Sequence, residues 1–182
     1  MKRTTTVIAA IFMSFFLASN CLAEGLAPEL QAKVDAKIKA FQAWSTDAKI
    51  VAAVKEYNSN PPAGAKEMTN DKWKTLTIMD QAVTSLTKNP LAEHLKSLKD
   101  DSISEAFVSG ADGGKVAFLT KTTSWTHKGN PKHDDPMAGK SWQGPVEVDA
   151  STGKQQIQTS MPVLDGATPI GSIVIGIAVL KL

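Results

Sequence analysis

Residues 160–182 read SMPVLDGATPIGSIVIGIAVLKL. Two apolar runs flank Asp165-Gly166, a dipeptide suited to the tight turn of a hairpin. In the second run Ile173, Ile175, Ile177 and Val179 fall on one face of an extended chain, and Ser172, Val174, Gly176 and Ala178 fall on the other. The bulky set suits packing against helices. The small set leaves room above the sheet, which either a ligand or large neighbouring side chains can fill, since glycine in a strand often just permits close approach.

Working outward from this strand, the same signals recur. Lys154 to Val163 is a strand candidate, joined through Ser151-Thr152-Gly153 to another at Gly144 to Asp149. Further back, Ser104 to Ser109 and Lys115 to Lys121 flank the turn Ala111-Asp112-Gly113-Gly114. A polar stretch of 22 residues, Thr122 to Gln143, separates the two groups. Connections of that length in a compact domain are usually functional or disordered. The expected plan is a five-stranded antiparallel sheet with a long crossover between its second and third strands, which is PAS-like.

Before residue 102 the pattern is helical. Leu30, Val34, Ile38, Phe41, Ala48, Val51 and Val54 recur at helical spacing, predicting one long helix from Pro28 to about Tyr57. At about 45 Å it exceeds the width of such a domain, so part of it is expected to project or pair with a second copy. Thr69 or Asn70 caps a second helix carrying Trp73, Leu76, Met79 and Val83 and stopped at Asn89-Pro90; a third covers Leu91 to Lys99. Helices first and strands afterwards give an α+β class, not a repeating βαβ fold.

The start of the chain is an address. Lys2 and Arg3 precede an apolar run from Val7 to Ala18 that is too short to span a membrane. Residues 1–23 are therefore read as a signal peptide and 24–182 as one domain, with export to the periplasm. The rival reading, a lipid-modified Cys21, fits Leu17 to Cys21 only loosely. Cleavage after Ala23 removes the single cysteine, and with it any disulfide, thiol nucleophile or Cys-ligated metal. Loss of Lys2 and Arg3 takes the basic residues from 20 to 18, against 18 acidic ones. Such a balanced chain offers no surface for nucleic acid.

Chemical motifs are few. The sequence has no G-x-S-x-G elbow, P-loop, H-E-x-x-H or C-x-x-C, so an enzyme, such as a hydrolase, is the weakest of the readings. The crossover carries Trp125, His127, His133, Asp134, Asp135 and Trp142. Aromatic walls with a few polar groups suit a pocket, although both tryptophans could equally be lids over the core. The histidines and aspartates match no compact metal-ligand spacing and read as solvated polar residues; no metal or other cofactor is expected.

From Ala106 onward the sequence resembles the Cache (PDC-type) sensor domains, extracytoplasmic relatives of PAS domains. The resemblance rests on the order of Ala106-Phe107-Val108, Asp112-Gly113-Gly114-Lys115-Val116 with Thr120, Ala138 to Pro145, Asp149 to Gly153, Ser160 to Gly166 and Pro169 to Gly176. It implies a small organic ligand bound above the sheet, signal transduction through a membrane-bound partner, and no catalysis. It also implies ligand-binding roles for Phe107, Phe118, Lys121, Thr123, Trp125, Trp142 and Asp165. The tryptophans would supply walls, Lys121 would meet a ligand carboxylate and Asp165 a ligand amine, unless Asp165 only makes its turn. The crossover has no Tyr or Arg, so the family's amino-acid-binding signature is missing and the ligand stays open. A structural or interaction subunit that kept the fold and lost ligand binding is the alternative.

Overall fold

The structure, a computed structural model, describes residues 26–150 and 153–182. The expected signal peptide and Cys21 lie outside the described residues. Helices α1 (Pro28–Phe41), α2 (Ala48–Ser59), α3 (Asn70–Thr75), α4 (Gln81–Lys88) and α5 (Pro90–Leu98) precede strands β1 (Ile103–Gly110) and β2 (Lys115–Phe118). Helix α6 (Pro131–Met137) then leads to β3 (Trp142–Val148), β4 (Gln155–Asp165) and β5 (Thr168–Ala178). The five strands form one sheet in the order β2-β1-β5-β4-β3, with every neighbouring pair antiparallel. This is the expected α+β, PAS/Cache-like arrangement. The Asp165-Gly166 turn joins β4 to β5, with Gly166 at φ +63°, a conformation that costs glycine little.

Three local expectations need correction. The single helix over residues 28–57 is two helices joined by a 3₁₀ turn at Gln42–Thr46. Asp47 adopts an extended ψ of 125° and its carboxylate accepts the amides of Lys49 and Ile50 at 2.9 and 3.0 Å, so it starts a new helix rather than continuing the old one. The bend turns Trp44 into the core, 5.7 Å from Phe41. The two pieces are about 21 and 18 Å long, and neither outreaches the domain.

The second helix is likewise divided. Asp80 accepts hydrogen bonds from both the amide and the hydroxyl of Thr77, at 2.6 and 2.8 Å, a local turn that competes with helix between α3 and α4. Met79, expected on the buried stripe, is 81 % exposed. Finally, the crossover is not loop throughout. Asn130 caps Lys132 at 3.1 Å and Pro131 opens α6, which places His133, Asp134 and Asp135 on a helix.

One face of the sheet and the helices make the apolar core. Ile103, Ile157, Met161, Ile173, Ile175 and Ile177 are buried there with Val34, Phe41, Ile50, Val54 and Leu95, and α2 crosses β1, β4 and β5. The sorting of the last strand into bulky and small faces is the one observed. The small face belongs to a cross-strand row, Phe118–Phe107–Val174–Ser160–Trp142, that runs through all five strands.

Candidate ligand site

Over the small face lie α6 and the rest of the crossover. A cavity of about 210 Å³ opens between them, lined by Glu105, Phe107, Thr122, Thr123, His127, Lys132, Glu147 to Ala150 and Gln158. Its floor follows from strand alternation. Glu105, Phe107 and Ser109 share one face of β1, and Gln156 and Gln158 share the same face of β4, with Gln158 paired to Gly176.

Glu105 is 4 % exposed and, among the described residues, has no cation within ion-pair distance. Gln156 donates to its Oε1 at 2.8 Å and Gln158 donates to the same oxygen. Burial pushes its pKa up, repulsion from Asp149 adds to this, and the two amide donors work against it. Lys132 reaches in from α6 and donates to the side-chain oxygen of Gln158, Oε1, and its Nζ is 5.8 Å from the centre of the Trp142 ring. His127 stacks on Phe107 at 5.1 Å, with planes 20° apart. Burial, then the nearby Lys115, hold it far below the usual imidazole range, so it is neutral. His133 binds the hydroxyl of Ser172 at 2.7 Å and closes that part of the small face.

Of the seven residues expected in the site, Phe107 and Thr123 line this cavity. The other five lie elsewhere. Phe118 is buried edge-on to Trp73 at 5.8 Å, and Trp125 packs on Trp73 at 5.3 Å. Lys121 Nζ lies 4.9 Å from the Trp73 ring centre. Trp142, on β3, folds back over Gly144. Asp165 is at an exposed turn, paired with Lys55 at 2.8 Å. Trp73 is the hub that sequence reasoning treated as an ordinary core residue: its indole N–H also donates to the Thr122 carbonyl at 2.7 Å, fixing the start of the crossover. Glu105, Lys132 and Gln158 were missed. Alternation from Phe107 points to Glu105, whereas nothing local to Lys132 announces that α6 aims it at β4.

A second depression, about 510 Å³, opens around Lys99, Asp101, Ile103, Lys154 and Leu180. All its charged residues are exposed, so it offers no buried charge comparable to Glu105. Among the described residues no group of three His, Cys, Asp or Glu side chains is placed to hold a metal ion. No described helix is long and apolar enough to cross a membrane.

No family model and no curated protein matches the sequence. Among solved structures, the chain is similar to the sensor domain of the Vibrio cholerae histidine kinase DctB, at 18 % identity and a TM-score of 0.40, over 82 % of this chain and 57 % of that one. It is also similar to the ligand-binding domain of the Pseudomonas fluorescens chemoreceptor CtaA in complex with L-valine, at 14 % identity and a TM-score of 0.42, over 82 % and 54 %. The ligand-binding domain of the Campylobacter jejuni chemoreceptor Tlp3 in complex with 4-methylisoleucine matches at 12 % and 0.37, over 82 % and 56 %. The chain spans little more than half the length of these domains. Strand order, helical cap and crossover together make this a protein of α+β, PAS/Cache-like fold.

Proposed function

We propose that residues 24–182 form an exported, periplasmic sensor module that binds a small organic solute between the sheet and the crossover and passes the bound state to a membrane-bound partner. The carrying observation is the cavity itself: an aromatic wall at Phe107 and convergent polar groups at Glu105, Lys132, Gln158 and Thr123 over a sheet face kept small by Ser172 and Gly176. The chemistry offered is recognition, and we read the protein as non-enzymatic.

A route from cavity to helices supports the reading. The Thr126 hydroxyl donates to the Asp112 carbonyl at 3.4 Å, linking the crossover to the β1–β2 turn. Helix α2 holds that turn through the Tyr57 hydroxyl to Asp112 at 3.3 Å and through Asn58, whose side-chain oxygen accepts the Ala111 amide at 3.0 Å. Asn58 also donates to the Ile170 carbonyl at 2.7 Å, so the last turn of α2 touches both hairpins. A ligand that moves the crossover would shift α2, and α1 would carry the change to a partner or a second copy.

A second reading, an interaction subunit without a ligand, is favoured by the partial filling of the small face. Gln156 and Ser104 leave no room for a side chain on Gly176, and His133 covers Ser172. A thermal-shift screen of amines, amino acids, carboxylates, purines and other solutes separates the two. A solute at 100 times its Kd adds about 2.7 kcal/mol, roughly 5–10 °C in a domain of this size. One chemical class should raise the melting temperature, and Lys132→Ala should abolish the rise. A flat response across the panel would reject ligand sensing in favour of the interaction subunit.

A further inference from the structure

Lys115 opens β2 and has no exposed surface. Buried lysines ordinarily meet a carboxylate, because an uncompensated buried charge is costly. This one does not. Its Nζ contacts the His127 Nδ1 at 3.0 Å and the Ser109 hydroxyl at 3.3 Å, and lies 4.6 Å from the centre of the Phe107 ring. All three neighbours are uncharged. Burial, reinforced by repulsion from Lys132, brings its pKa down to about 7, with Glu105 and Asp112 too weakly coupled to restore it. Two of the residues that enclose the amine, Phe107 and His127, are walls of the cavity on their other side.

We infer that Lys115 is a carbonyl-reactive amine that captures a small neutral aldehyde from the cavity as a reversible imine, reached when the His127 ring leaves its stack on Phe107. The uncharged amine carries the lone pair that attacks the carbonyl carbon, forming a carbinolamine as an Nζ proton moves to the carbonyl oxygen. Loss of that hydroxyl with the second Nζ proton gives the imine and one water, with no oxidant or reductant. Glu105, whose pKa burial raises above the usual carboxylate value, is the acid the cavity offers to protonate the departing hydroxyl, taking up the second Nζ proton in return. In the tautomer with its proton on Nε2, neutral His127 accepts from Nζ at Nδ1 and leaves the amine lone pair free for attack. Glu105, Glu147 and Asp149 in the wall disfavour an anionic carbonyl compound.

The experiment is reductive trapping of the whole protein with propanal and cyanoborohydride at pH 7, read by intact mass and peptide mapping. Near pH 7 about half of Lys115 is uncharged, against less than roughly one in a thousand of an ordinary lysine at pKa 10.4. Limiting reagent should therefore place one propyl group on Lys115 with at least a tenfold preference over the exposed lysines. His127→Ala should speed that labelling several-fold, and Lys115→Arg should abolish it while the remaining lysines react as before. Labelling spread over exposed lysines with Lys115 no more reactive than they are, or a His127→Ala rate equal to wild type, would overturn the inference. The adduct is read by mass, so the result stands apart from the solute screen and from the folding of any one variant.

Discussion

Trp73→Phe tests the hinge on which the crossover hangs. The indole is fully buried, donates to the Thr122 carbonyl at 2.7 Å, and contacts Phe118 and Trp125. Phenylalanine keeps an aromatic ring but has no donor. The Thr122 carbonyl, in a residue 4 % exposed, would lose its partner at about 1–3 kcal/mol, and weaker packing on Trp125 adds roughly 0.5–1 kcal/mol. The sum, about 2–4 kcal/mol, lowers the melting temperature by roughly 5–15 °C in a domain of this length. Denaturant unfolding should show the same loss with an unchanged m-value, because the surface exposed on unfolding is the same. Thr122 and Thr123 line the cavity, so any solute found in the screen should also bind more weakly. A melting temperature within 2 °C of wild type, on the order of 0.5 kcal/mol, would show that the Trp73–Thr122 bond does not hold the crossover.

Three further outcomes follow from particular contacts. At Gly171→Ala the new methyl would run into the Ser109 carbonyl of the neighbouring strand and lie 2.9 Å from Val54; backbone cannot yield as a side chain does, and calorimetry should show a loss of about 1–3 kcal/mol. Glu105 has a folded pKa above its ordinary 4.5, so the native state binds more protons than the unfolded one, and stability falls as pH rises from 4.5 through the folded value, by about 1.4 kcal/mol per pH unit of that window. Glu105→Gln keeps the acceptor oxygen and should flatten that part of a melting-temperature profile against pH. Asp47 is the reverse case: burial opposes, but the His94 hydrogen bond and the amides of Ile50 and Lys49 prevail and hold its pKa below 3.8. Its contribution is present above pH 3.8 and fades below, while Asp47→Ala should cost about 1–2 kcal/mol at neutral pH, measured by urea unfolding.

The alternating pattern of residues 170–180 and the turns at 111–114 and 165–166 carried the sheet, because strand faces and hairpin turns are set by neighbours in sequence; the expected turn at 151–153 lies partly outside the described residues. Phe107 and Thr123, named by the family resemblance alone, are the two of its seven residues that line the cavity. Helix ends were less legible. Asp47 and Thr77-Met79-Asp80 break apolar repeats that look continuous, since a side-chain cap wins over helix propagation only when the fold rewards the bend, as burial of Trp44 does. What the sequence by itself determined is the α+β class, the five strands, the bulky and small faces of the last one, and the long crossover between the second and third. What only the tertiary structure decided is which polar groups meet there. Glu105, Lys115, His127, Lys132 and Gln158 come from three strands, a loop and a helix, and their charge states depend on burial among one another, a property that no residue's own sequence neighbourhood contains.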